Sequence, residues 1–205
     1  QSILSTHTVP AHGPLSQAIQ FPYAVPNTDL VIQSLNPYDG PFLEDGTDRE
    51  VFNIAALTVR NTGKTILEST KIVLCWNMGA YTFCGSYLPA GGTAVLLEQD
   101  AQTFRTDRFI HCTGSQTAVQ VNRNQPDVVV TEEAMGTVIL TNTTDSPIYG
   151  ITIYYKTWLL PQEMYIGGIT YAMEIAQLQP GQTLRLYPDH YAVDYSKIVC
   201  IQGHS

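Results

Sequence analysis

The chain has 205 residues, 44% of them apolar and only 14% charged, with a formal net charge of −8. Such acidity repels nucleic acid and anionic membrane surfaces, and no run approaches the roughly 18 apolar residues that a membrane span requires. Low charge with ample apolar content suits a secreted β-rich protein better than a cytosolic enzyme, and the length allows one large β domain or two of roughly 80 to 100 residues.

Residues 1–26 carry Pro10, Pro14, Pro22 and Pro26 among Ser, Thr, His and Gln. This reads as an extended tether whose apolar end, Ile19 to Val25, docks on the first domain. The start at Gln1-Ser2 lacks a basic-then-apolar leader, so membrane attachment is expected only through a missing N-terminal anchor. Asp29–Leu35 is a first strand. Asn36–Asp48, with two Asp-Gly pairs and Pro41, reads as a turn-rich insertion, because Asp-Gly supplies the positive-φ positions of tight turns. Strands are expected at Val51–Val59, Lys71–Trp76, Tyr81–Tyr87, Ala94–Glu98 and Arg108–Cys112. Alternation puts Ile72, Leu74 and Trp76 on one face and Lys71, Val73 and Cys75 on the other. No sustained 3.6-residue period occurs, so helix should be scarce. Gln116–Gln125 is polar and reads as a connector.

After the connector the pattern restarts. Asp127–Thr131 echoes Asp29–Gln33, and Thr137–Thr141 followed by Asn142-Thr143 echoes Ala56–Arg60 followed by Asn61-Thr62. Ile151–Trp158 stands where Thr70–Trp76 stood, Gly181 matches Gly91, and Cys200 matches Cys112. The expected fold is therefore all-β: two tandem immunoglobulin-like β-sandwich domains from an internal duplication. Their boundaries fall at 27–115, with the insertion at 36–48, and at 126–205, joined by 116–125.

The run from Asn53 to Gly63, then Tyr81-Thr-Phe, then Ser86-Tyr-Leu-Pro-Ala-Gly-Gly resembles uncharacterised extracytoplasmic proteins of gut-dwelling Firmicutes. The resemblance implies a bacterial cell-surface location and a β-sandwich. It implies no activity and no catalytic residues.

Candidate chemistry is sparse. Asp39, Asp45 and Asp48, with Glu44 and Glu50, place in one loop the oxygen ligands that Ca²⁺ takes, although the same residues also suit a solvated acidic loop. Tyr154, Tyr155, Trp158 and Tyr165 could form an aromatic face for stacking on a sugar, or could be packing residues. Cys75, Cys84, Cys112 and Cys200 are an even set that fits an oxidising compartment, although the same residues also suit small buried hydrophobes; of the three pairings that four cysteines allow, Cys75 with Cys84 and Cys112 with Cys200 is preferred. No nucleophile elbow, zinc-binding helix or phosphate loop is present, and no cofactor is implied. These features point to a non-enzymatic surface module for an unknown protein or glycan. The alternative is a carbohydrate-binding module using tyrosines of the second domain.

Overall fold

The computed structural model describes residues 19–106, 108–120, 126 and 128–205. Strands make up 62% of the described residues, and among these the one helical element is a 3-10 turn at Ala134–Gly136. The chain is all-β. It divides into two compact units: the first runs through Ala118 and adds Gly167–Ile169, and the second takes Val119–Ile166 and Thr170–Ser205.

The first unit holds β1 (Tyr23–Ala24), β2 (Leu30–Phe42), β3 (Arg49–Asn61), β4 (Leu67–Trp76), β5 (Gly79–Leu88), β6 (Thr93–Leu97) and β7 (His111–Ala118). One of its sheets runs β1-β2-β3-β6 and the other β5-β4-β7, all neighbours antiparallel. The β-branched and Leu-rich alternation of β3 and β4 drives this. Leu57, Val59, Ile72 and Leu74 are fully buried, while Lys71 is exposed. The second unit holds β8 (Val128–Glu133), β9 (Thr137–Asn142), β10 (Ile148–Leu159), β11 (Met164–Ile166), β12 (Tyr171–Leu178), β13 (Thr183–Leu186) and β14 (Ser196–His204). Its strands pair as β8-β9-β13 and β12-β10-β14, again antiparallel, with β11 a short partner at the end of β10. Val138, Leu140, Ile148, Ile151, Ile153, Tyr155 and Leu178 form its core.

Six strands of each unit correspond in order, β1 and β11 being without counterparts. β2-β3-β6 has the connectivity of β8-β9-β13, and β5-β4-β7 that of β12-β10-β14. The turns correspond as well. Gly91 (φ +71) and Gly181 (φ +69) occupy the same place, each donating its N–H to the carbonyl of a buried asparagine, Asn61 and Asn142 respectively. The tryptophans do not correspond. Leu67 lies opposite Leu88 and Ile148 opposite Leu178, yet Trp76 is nine residues past the first and Trp158 ten past the second. Trp158 therefore points to the opposite face. Cys112 lies opposite Leu74, whereas Cys200 lies opposite Tyr154, and Ile198 stands opposite Tyr155, the counterpart of Leu74.

Several expected boundaries move. Asn36–Phe42 is not a loop: it continues β2 against β3, and the chain turns only at 43–48. A β-bulge lies opposite Asp39, where Phe52 and Asn53 of β3 face that one residue of β2; Asn53 sits at φ +51 and donates its N–H to Asp39 Oδ1 at 2.6 Å. Asp39-Gly40 therefore stays inside a strand, its carboxylate bonded across to the bulged partner, a pairing that the dipeptide alone does not reveal. The strand expected at Arg108–Cys112 lies later, at His111–Ala118, and so takes in the start of the expected connector. Residues 121–125 of the connector and residues 1–18 of the tether lie outside the described residues. The tether's end is part of the first unit: Tyr23–Ala24 pairs with β2, and Ile19 donates its N–H to the Phe109 carbonyl at 2.7 Å.

Candidate functional site

Three of the four aromatic candidates, Tyr154, Tyr155 and Trp158, separate onto the two faces of β10 because successive strand residues alternate, and Tyr165 lies on β11 opposite Trp158. Tyr155 enters the core, its hydroxyl donating to the Asp189 carbonyl at 2.5 Å. Burial, then the charges of Asp189 and Tyr171, push its pKa up to about 12. Tyr154 and Trp158 face the other way. Trp158 is half-buried, edge-on to the buried Tyr165 at 4.7 Å, with Lys197 Nζ 4.4 Å over its ring. Burial pushes Tyr165 up to about 12. The four residues therefore form no single exposed platform.

A different aromatic set reaches the surface of the second unit. Tyr171 stacks on Tyr155 at 5.7 Å and on His190 at 4.8 Å with an interplanar angle of 15°. His190 is exposed and sits at φ +59, a conformation non-glycine residues adopt only where surrounding structure holds it. Tyr191, edge-on to Tyr155 on the core side, buries a hydroxyl that makes no well-formed hydrogen bond among the described residues. Its pKa is raised by burial first and by Glu132 next. Tyr171 stands among the aromatics that crowd the second half of the sequence, but its pairing with His190 is not legible there because His190 comes from a loop nineteen residues away.

The acidic candidates do not converge. Asp39 is committed to the Asn53 N–H, and Asp45 accepts from the Thr47 N–H and hydroxyl and from Arg49 Nε. Asp48 is an exposed turn residue at φ +53. Among the described residues no group of three His, Cys, Asp or Glu side chains could hold a metal ion. Glu44 points elsewhere, its Oε1 accepting the N–H groups of Leu97 (3.1 Å) and Gly168 (2.7 Å). The buried carboxylate that the sequence reading missed is Glu98. It accepts the N–H groups of Thr82, Asp100 and Gln102 and the Gln102 amide, and so shapes its own loop.

All four cysteines are free thiols, so neither expected pairing is made. The β4–β5 hairpin places Cys84 opposite Lys71, four residues from Cys75 along the strand. That is about 13 Å at the usual strand rise, beyond the reach of a disulfide.

Among the described residues the units differ at the seam between the edge strands of their two sheets, β2 beside β7 and β8 beside β14. In the first unit the seam is sealed. Val25, 2% exposed, lies on Gly114 of β7 so closely that a Cβ there would meet Val25 Cγ1 at 2.2 Å. Asp29 and Gln116 close it with two hydrogen bonds of 2.8 Å each. In the second unit the seam is a groove of about 260 Å³ lined by Pro126, Val128, Ile198, Val199, Cys200 and Ile201. Among the described residues β8 pairs only with β9, and β14 only with β10.

No protein-family model matches the sequence, and no curated protein matches it significantly.

Proposed function

We propose that the chain is a non-enzymatic, extracytoplasmic interaction module. It is built from two immunoglobulin-like sandwiches of common origin and presents strand edges and loops to a partner. The observation that carries this reading is the recurrence, in both units, of one strand order with one asparagine-anchored turn. A duplicated scaffold that differs mainly at its seam suggests selection on surfaces around a shared core. Surface location rests on composition and on the resemblance to extracytoplasmic proteins, since the cysteines lend it no disulfide. Labelling of intact source cells with a membrane-impermeant amine reagent tests it. Modification of the exposed Lys71 and Lys197 before lysis supports the reading, and modification only after lysis overturns it.

A second reading, glycan binding, is favoured by the Tyr171–His190 stack, because a flat ring pair with an exposed end suits a sugar face. A glycan array with the wild-type chain and a Tyr171→Ala variant tests it. Binding lost in the variant supports it, and absence of binding in both overturns it.

A further inference from the structure

Resting on the interaction-module reading, we propose that one loop end of the second unit docks a basic polypeptide segment. The β8–β9 turn and the β13–β14 loop form the site: a lysine or arginine of the partner pairs with Glu132, and an apolar neighbour of it packs on Met135. Two backbone relationships bring these loops together. Glu132 lies opposite Val138 and Val138 opposite Leu186, so the strands deliver both loops to the same end of their sheet. A Cβ on Gly136 would collide with the Tyr191 carbonyl oxygen, so the turn lies directly on the loop. The observation that points to a ligand is Tyr191 itself. It is 8% exposed and belongs to the core, yet its buried hydroxyl makes no well-formed hydrogen bond among the described residues, although the Glu132 carboxylate lies beside it. A buried hydroxyl left unmet costs stability, and phenylalanine would fill the same space without that cost. A cation drawn to Glu132 supplies what is missing. It holds the exposed carboxylate in one place, where the second oxygen accepts the Tyr191 O–H. Tyr191 is thus a positioning residue for Glu132.

Charge selects the occupant. Glu132, Asp189 and Asp194 are exposed at this end, and none of them makes an ion pair among the described residues. The neighbouring cations are already committed: Arg185 pairs with Glu133, and Lys197 lies over the Trp158 ring. The opposite charge must therefore come from outside, and a net charge of −8 draws a basic partner from a distance. Met135 argues against a bare cation. It is 98% exposed at φ +69, a left-handed conformation that a long side chain keeps only where the surrounding structure holds it. Tyr187, 67% exposed and next after Leu186 at the end of β13, adds a ring to the same end. Methionine and tyrosine are enriched at protein interfaces. Set beside unpaired carboxylates, they fit a polypeptide that offers a positive charge and an apolar side chain together.

Fluorescence anisotropy with two short labelled peptides tests this, one with Lys-Leu-Lys at its centre and one with Glu-Leu-Glu, each flanked by glycine and serine. The proteins are the full chain and its variants Glu132→Gln, Met135→Ser, Tyr191→Phe and Asp145→Asn, the last removing an exposed carboxylate at the opposite end of the unit. Thermal melts accompany every titration. The lysine peptide alone is expected to bind. Glu132→Gln should weaken it about fivefold, as loss of an exposed ion pair, and Met135→Ser about tenfold, as loss of a covered apolar side chain. Tyr191→Phe should weaken it about threefold while melting no lower than the wild type, because the lost hydroxyl had no partner. A lower melt with unchanged binding would make Tyr191 merely structural and overturn its role. Asp145→Asn should leave binding unchanged; weakening equal to that of Glu132→Gln shows attraction to net charge alone and overturns the site. Spermine that displaces the peptide, with Met135→Ser without effect, assigns the site to a free polyamine and overturns the polypeptide. A chain that binds neither peptide, or prefers the glutamate one, overturns the proposal alone, since the module reading stands or falls on the surface labelling.

Discussion

Asn61 and Asn142 do the same work in the two units. Each is fully buried at the end of a strand, and each amide donates to a carbonyl four residues on, Thr65 or Ser146. Each also reaches the closing leucine of a neighbouring hairpin, Leu88 or Leu178. Each side-chain oxygen accepts the N–H two residues on, from Gly63 or Thr144. Each backbone exchanges bonds with a glycine turn, Gly91-Gly92 or Gly181-Gln182. One side chain therefore ties a loop, a strand end and a turn together, which makes it costly to replace.

Asn61→Ala is expected to destabilise the first unit, and Asn142→Ala the second, by about 2–3 kcal/mol each, because buried carbonyls lose their donors. The chain has two tryptophans, Trp76 in the first unit and Trp158 in the second. Urea unfolding of single-tryptophan variants reads the units separately. A loss spread equally over both probes for either variant would contradict the assignment.

Gly168→Ala and Gly91→Ala separate crowding from backbone strain. A Cβ at Gly168 would lie 1.9 Å from the Cys84 carbonyl oxygen, whereas one at Gly91 meets nothing within 4 Å. Gly168→Ala is expected to cost about 3 kcal/mol as an overpacked contact with backbone. Gly91→Ala should cost about 1 kcal/mol, from its positive φ alone. Thermal melts of the two variants check the order, and equal shifts would sink it.

Alkaline pH should loosen the second unit. The folded-state pKa values of Tyr155 and Tyr165 are raised from 10.0 to about 12, by burial first. A raised pKa means that the native state holds protons the unfolded chain releases. The stability these groups contribute is therefore complete below pH 10 and is lost as pH rises through about 12. Tyrosinate absorbance followed against Trp158 fluorescence should show both changing together in that window. Tyrosines that titrate near pH 10 with the fold intact would overturn this.

Thiol chemistry should follow exposure. Cys84 is exposed, whereas Cys112 and Cys200 are buried, and burial, then the nearby Cys75, pushes the Cys112 thiol up to about 11. A disulfide-exchange reagent on native protein is expected to modify Cys84 first and to reach Cys112 and Cys200 only on unfolding. Denatured, unreduced protein should titrate four thiols by mass. Zero would restore the oxidised reading.

The sequence by itself determined most of the strands, though not the strand character of Asn36–Phe42 or of Thr113–Ala118, that helix is scarce, and that the pattern of Asn61 and Gly91 recurs at Asn142 and Gly181. Period-two alternation and turn chemistry are written in neighbouring residues, so they are legible locally. Only the tertiary structure decided that Asp39-Gly40 lies in a strand opposite a bulge of β3, that Tyr155 turns inward while His190 reaches out to Tyr171, and that Cys84 lies opposite Lys71. It also decided that Val25 seals one seam while Ile201 floors the other. These depend on which strands pair and in what register. Partners such as Val25 and Gly114 stand 89 residues apart, and burial on both sides, rather than any local preference, selects them.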